Sequence, residues 1–291
     1  MIHAADGDMR VSSSGLLPAD GPALSMLCRR SVLYGGGLRA MLLQAVHPDV
    51  AAAVESTGEY LQEPWARHAR TVETTLRVLL GERQDALAAV RRVNALHAAV
   101  SLEDKLGNRS FPAKDSDLLL WVHVSLVSSF LVFESLTVGR LSPRERDLVC
   151  EELGVVGRLL GVDCASLPRT VADIDEYVSA IVSTGDLCAT ASSDILCRTL
   201  TREAPLRVRI LMRPLFDTAL ATLPDQVRLL YPSDLQGLVG RWTRRPSASV
   251  LRGANRILPG RLTAVRRPSA RRGSWQGARS PADVSQGPDH S

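Results

Sequence analysis

The chain is short of aromatic residues, of lysine, of cysteine and of the common catalytic signatures. Phe, Trp and Tyr make up 4 % of its 291 residues, so a core must be assembled from Leu, Val and Ala. Of 35 basic residues only Lys105 and Lys114 are lysines, a bias of composition rather than of chemistry. The five cysteines, at 28, 150, 164, 188 and 197, are odd in number and widely spaced, and no CxxC occurs. That excludes a disulfide framework and a cysteine-type zinc site, and it suits a reducing, cytoplasmic compartment. HExxH, the Glu-x-x-His pairs of di-iron bundles and the G-x-S-x-G nucleophile elbow are all missing. The opening MIHAADGDMRVSSSG has no apolar stretch of the kind a signal peptide needs. Even the most apolar run, Leu118 to Val138, contains His123, Ser125, Ser128, Ser129 and Glu134. Such groups are expensive in a bilayer, so the run reads as a buried core helix and no transmembrane span is expected.

What is present is an ordinary globular composition, 45 % hydrophobic and 23 % charged, which excludes collagen-like and wholly disordered chains. The net charge of +4 is unevenly spread. Residues 241–291 hold 11 arginines against Asp283 and Asp289, a balance of +9, while the first 240 residues carry −5. The body is mildly acidic, and no nucleic-acid partner is expected for it. From these shifts the chain divides into a mobile arm over 1–22, a helical domain over 23–245 and a disordered Arg-rich tail over 246–291. The tail is either simply solvated or takes an anionic partner, nucleic acid or lipid. Oligomeric state is not legible.

Apolar residues recur at three and four from Ala23 onward, and Pro and Gly cut the chain into helix-length pieces. The spacing predicts helices over Leu38–Val46, from Pro48, over Pro64–Leu80 closed by Gly81, and over Asp85 to about Leu102. A loop, GNRSFPAKDSD, precedes a long helix to Val138, capped by Asp115 or Ser116. Ser142-Pro143 with Glu145 is a capping-box start for a helix to Leu160. Thr170 caps a helix to about Ser183, and further helices are expected over 188–202, 205–222 and 232–243. No alternating strand runs stand out, so the fold class is all-α, a single helical domain.

Gly35-Gly36-Gly37-Leu38-Arg39-Ala40 satisfies G-x-G-x-x-A, with Glu55 twenty residues after Gly35. A dinucleotide fingerprint needs strands on both sides of its helix, and here Pro48 and a helical DVAAAVESTG follow, so the glycines are expected to link two helices. Among the six histidines, His97 aligns with Val90, Val93 and Val100. His123 aligns with Leu119, Leu126, Val127 and Phe130. Two core histidines on neighbouring helices either hydrogen-bond within the core or ligate something held in a helical pocket. On the Trp65–Leu80 helix, Trp65, Ala69, Val72, Leu76 and Leu79 form an apolar face, while Arg67, Arg70, Thr71 and Thr74 share another. That second face is either solvated or reaches anionic groups of a ligand.

The run GGGLRAMLLQAVHPDVAAAVESTGEYLQEPWARHARTVETTLRVLLGE, with VRRVNALHAAV, DSDLLLWVHVSLVSSFLVFE, LSPRERDLVCEELGVVGRLLGV and LPRTVADIDEYV, resembles the family that includes the latex-clearing rubber oxygenases and the fungal MpaB oxygenase. The resemblance spans Leu33 to Tyr177 and loosens to about Pro232. It implies an all-α, globin-like domain holding haem b. Its R-x-x-[KR]-T motif stands as Arg67, Arg70 and Thr71, and the axial iron ligand matches His97 in LHAAV. His47 and His123 match further recurrent histidines that line or buttress the pocket. Rubber oxygenases place a lysine where Arg70 stands, and an arginine is a poor iron ligand because it keeps its proton. Glu55, Glu59 and Glu63 lie in the region of the family's catalytic carboxylate, with Glu63 and Arg70 the catalytic candidates. The loop after LHAAV, VSLEDKLGN, departs from the family pattern. The activity implied is haem-dependent oxygenation by dioxygen of an apolar, unsaturated small molecule or polymer, isoprenoid- or polyketide-like. The alternatives are a haem carrier or sensor on the same fold, or an interaction protein that has lost the cofactor.

Overall fold

The computed structural model describes residues 15–56, 63–99, 101–103, 110–112, 115–232, 249, 251–253 and 265. The chain is all-α. Helices α1 (Pro22–Leu27), α2 (Arg30–Ala45), α3 (Pro48–Glu55), α4 (Pro64–Leu80) and α5 (Arg83–Ala99) come first. After a short antiparallel pair, β1 (Ser101–Glu103) and β2 (Ser110–Pro112), follow α6 (Ser116–Thr137), α7 (Pro143–Leu160), α8 (Val171–Ser183), α9 (Ala191–Arg198), a π turn (Thr199–Glu203), α10 (Leu206–Ala221) and α11 (Asp225–Arg228).

The helix starts follow the capping chemistry. Asp115 accepts from the N–H groups of Asp117 and Leu118. Ser142 with Glu145, and Thr170 with Asp173, form reciprocal capping boxes. Gly161 ends α7 at φ 102, a left-handed conformation that favours glycine. Inward-facing Glu152 caps α1 by accepting from the Ala23 N–H at 2.9 Å, and burial raises its carboxyl above the usual range.

The core is organised on α2 packed against α6. Ser31 meets Thr137 at 3.0 Å and Arg39 donates to Ser129 Oγ at 3.0 Å. A Cβ on Gly35 would lie 2.1 Å from the Phe133 ring. In each pair the two numbers add to 168, so the helices are antiparallel in one register. Gly35 and Gly36 are therefore not a link between helices, as the spacing suggests, but the middle of α2. The close approach of Phe133 and Phe130 requires them there, and the packing offsets the roughly 1 kcal/mol that glycine costs a helix. Helix α6 is long and apolar enough to cross a membrane, and most of it is buried inside the fold, with Trp121, Phe130 and Phe133 among the largest enclosed side chains.

Other differences from the sequence expectation are local. The helix expected over 188–202 is α9 followed by the π turn, in which the Thr199 hydroxyl bonds Glu203 at 3.0 Å. The helix expected to about Leu102 ends at Ala99, with Leu102 in β1, and the expected loop before α6 contains β2. Past Pro232 the helix expected over 232–243 lies outside the described residues, as do residues 1–14 of the arm. The described end of the arm is packed, with Leu16 and Leu17 buried. In the stretch read as a tail, Leu251 and Val265 pack on the core, Arg252 donates to Leu136 O at 2.9 Å, and Val265 N–H donates to Cys28 O at 2.8 Å. The body's contacts thus extend past 245, because apolar residues recur there among the arginines.

Candidate functional site

Helices α4 and α5 are joined through Gly81 and Glu82 and pack on each other, so they form an antiparallel hairpin. A Cβ on Gly81 would lie 2.3 Å from Arg77 O, which is why the turn holds glycine. At the closed end the hairpin is buried through Val78, Leu79, Leu80, Ala86 and Val90. At the open end the burial gives out on both helices.

The residue columns show how this happens. Helical spacing of three and four places Ala86, Val90, Val93 and His97 on one face of α5. Ala86 and Val90 are buried, Val93 and His97 half-buried. On α4 the column Arg67, Thr71, Thr74 and Val78 runs the same way, from buried Val78 to half-buried Arg67 and exposed Thr71. His97 lies 14 residues past the start of α5 and Ala66 14 before the end of α4, so His97, Ala66 and Arg67 stand at about the same height, roughly 21 Å from the turn. On α4 the exposed Thr71 interrupts the column, and Arg67 is half-buried again one turn further out. The half-covered open end brings an imidazole level with a guanidinium.

Individual side chains qualify the expected roles. The Thr71 hydroxyl donates to Arg67 O at 3.1 Å, and the Thr75 hydroxyl to Thr71 O at 2.9 Å. The hydroxyl proton expected to serve a ligand is spent inside α4. Arg70 is exposed. Glu63 is the exposed residue preceding α4. Glu55 accepts from both the N–H and the hydroxyl of Ser192, tying α3 to α9. Glu59 lies outside the described residues.

His47 and His123 stand apart from this end. His47 starts α3, with its ring 5.9 Å from the Trp121 ring. The end of α2 just before it is fastened: Thr190 donates to Ala45 O, Cys188 N–H to Val46 O, and the Tyr231 hydroxyl to Leu42 O. His123 is 9 % exposed, and a Cβ on Gly157 of α7 would lie 3.0 Å from its Nδ1 and 2.9 Å from Leu167. Burial pushes its imidazole down to about 4, so it is neutral at pH 7. Asn94, one turn before His97, donates to Leu159 O at 2.9 Å. Gly157 and Leu159 are about 200° apart around α7, so His123 and the His97 end of α5 approach that helix from different sides.

Sequence reasoning missed three features. His68 reads as a polar-face residue but is half-buried, its ring 5.6 Å from Trp65, and burial lowers its imidazole below the usual range. Arg39 is buried, donating twice to Thr222 O and once to Ser129 Oγ, and desolvation, partly offset by Asp175, lowers it to about 10. Glu134, enclosed at the end of α6, accepts from the Arg140 and Leu141 N–H groups and pairs with Arg146 at 3.5 Å. It borders a 520 Å³ open cleft together with Arg252. For Arg39 and Glu134 the signal was in the sequence: each is a lone charge within an apolar helical run.

No group of three or more His, Cys, Asp or Glu suited to a metal ion occurs among the described residues. The residues at the open end of the hairpin do suit a planar, anionic cofactor. Half-buried Val93 supplies apolar surface, His97 an imidazole one turn further on and Arg67 a cation at the same height, while Ala86 and Val90 are filled core.

A family model described as "ER-bound oxygenase mpaB/B'/Rubber oxygenase, catalytic domain" matches residues 26–258. No curated protein and no solved structure matches the chain.

Proposed function

The chain belongs to the MpaB and rubber oxygenase catalytic-domain family, and from that premise we propose that it is a haem-dependent oxygenase acting on an apolar, unsaturated substrate. The observation that carries the reading is the half-buried His97, level with Arg67 at the open end of a hairpin whose closed end is core. His97 offers the one imidazole on that apolar column for iron. Arg67 offers a charge-assisted pair to a carboxylate of the macrocycle. Haem bound there would supply dioxygen activation. The protein's share is to fix the imidazole, hold the carboxylates and surround the reacting face with apolar side chains. An isoprenoid- or polyketide-like chain, monomeric or polymeric, is the substrate class that the family suggests.

A second reading, a haem carrier or sensor without turnover, draws on the carboxylates. Glu55 is engaged with Ser192, and Glu63 is exposed at the N-terminal edge of α4. Arg70 keeps its proton and makes a poor acid–base group.

Haem titration of the apoprotein tests the cofactor assignment. Arg67→Ala removes a pair worth about 1.5–3 kcal/mol, so affinity should fall roughly 10- to 100-fold. Thr71→Val should leave affinity unchanged, because that hydroxyl already serves Arg67 O. Unchanged affinity in Arg67→Ala would return this face to solvent. Oxygen uptake with an unsaturated hydrocarbon then separates oxygenase from carrier.

A further inference from the structure

Helix α10 is buried only along its second half, through Leu215, Phe216, Ala219, Leu220 and Ala221. In its first half Leu206, Ile210 and Leu211 are 63 %, 67 % and 76 % exposed. Their spacing places them within one arc of about 140°, with Pro214 in the same arc. Exposure this high belongs to side chains standing out from a convex surface; the wall of a pocket leaves its residues half covered. Single exposed leucines are ordinary, whereas three in one and a half turns form a patch that calls for a partner.

The charges indicate which partner. Arg207 lies within the arc and is exposed. Arg213 stands at its margin, held by Asp217 at 2.8 Å. Arg209 anchors the start of the helix by donating to Thr201 O at 3.3 Å and Arg202 O at 3.1 Å. We propose that this face of α10 docks on an anionic lipid surface, with Leu206, Ile210 and Leu211 entering the acyl boundary and Arg207 meeting the phosphates. Protruding aliphatic side chains interleaved with arginine are the pattern of a helix lying in the lipid interface. A second copy of the chain is the competing occupant, and light scattering distinguishes it. The π turn touches both α10 and α4, so the docked surface adjoins the helix that carries Arg67. The inference does not depend on haem.

The test is co-sedimentation of the full chain with vesicles of phosphatidylcholine alone and of phosphatidylcholine with one-third phosphatidylglycerol. The C-terminus, +9 over residues 241–291, would attract anionic vesicles by charge alone, so it stays intact in every variant and the variants differ only at α10. Ile210→Asp/Leu211→Asp should bind mixed vesicles at least about tenfold more weakly than the parent, because two aliphatic side chains no longer leave water. Its helical circular dichroism and thermal midpoint should be unchanged, since both positions are exposed. Arg207→Glu keeps the apolar patch and the C-terminus and should bind mixed vesicles at least about fivefold more weakly than the parent, with binding to phosphatidylcholine alone little changed. The proposal is overturned if the parent does not bind, or if the double variant binds as tightly as the parent. It is also overturned if light scattering shows a dimer that the double variant dissolves.

Discussion

His123 makes the packing of α6 against α7 measurable through pH. Its imidazole is buried against Gly157, and desolvation lowers it from the ordinary 6.5 to about 4. In that interval the unfolded chain binds a proton that the folded chain refuses. A depressed histidine therefore contributes stability that is present above the unfolded value and lost as pH falls towards the folded one. With those two values, linkage gives a loss relative to pH 7 of about 2 kcal/mol at pH 5 and about 3 kcal/mol at pH 4. His123→Leu removes the titrating group. It changes stability at pH 7 through shape, but should flatten the acid limb by those amounts. Urea unfolding of both proteins at pH 7, 5 and 4 reads the difference, in which the carboxylates common to both cancel. Equal losses in the two proteins, within about 0.5 kcal/mol, would refute the burial of His123 as a neutral group.

Two further perturbations examine the frame. Gly35→Ala puts a methyl 2.1 Å from the Phe133 ring, and the fixed register of α2 on α6 leaves no room to shift. A net loss of about 1–3 kcal/mol is expected, lowering the thermal midpoint by on the order of 5 °C. Gly37→Ala meets no atom within 4 Å and should instead be neutral or stabilising by up to about 1 kcal/mol; equal effects at both positions would show that the glycines are not there for helix contact. Ending the chain after Arg245 removes the contacts of Leu251, Arg252 and Val265 with the body. Differential scanning calorimetry should show a midpoint lower by a few degrees, whereas an unchanged midpoint would mean that the segment adds nothing to the fold.

Much of the fold was written in punctuation. Pro48, Pro64 and Pro143 open α3, α4 and α7, Gly161 closes α7, and Asp115, Ser142 and Thr170 cap α6, α7 and α8, all by local backbone chemistry that needs no tertiary knowledge. Gly35 and Gly36 were misleading because their reason is tertiary: the approach of Phe133 and Phe130 from α6 explains glycine there inside α2. The π turn and the short strands were likewise set by packing and pairing rather than by pattern. At the site, periodicity correctly aligned His97 with Val90 and Val93, and Arg67 with Thr71. It did not tell which end of a face is covered. That depends on the hairpin, which buries Val78 and leaves Thr71 exposed. The same limit hid His68, whose polar neighbours gave no sign of the Trp65 ring beside it.

The visible absorption spectrum of the protein, expressed with haem supply, bears most directly on the central proposal, that His97 holds haem iron at the open end of the α4–α5 hairpin. The parent should carry a Soret band that shifts on reduction with dithionite and addition of carbon monoxide. His97→Ala should lose that band while keeping its helical circular dichroism, and His123→Ala should retain it. A normal band in His97→Ala with loss in His123→Ala would move the iron to the opposite side of α7. A parent protein without a Soret band would contradict the haem assignment altogether.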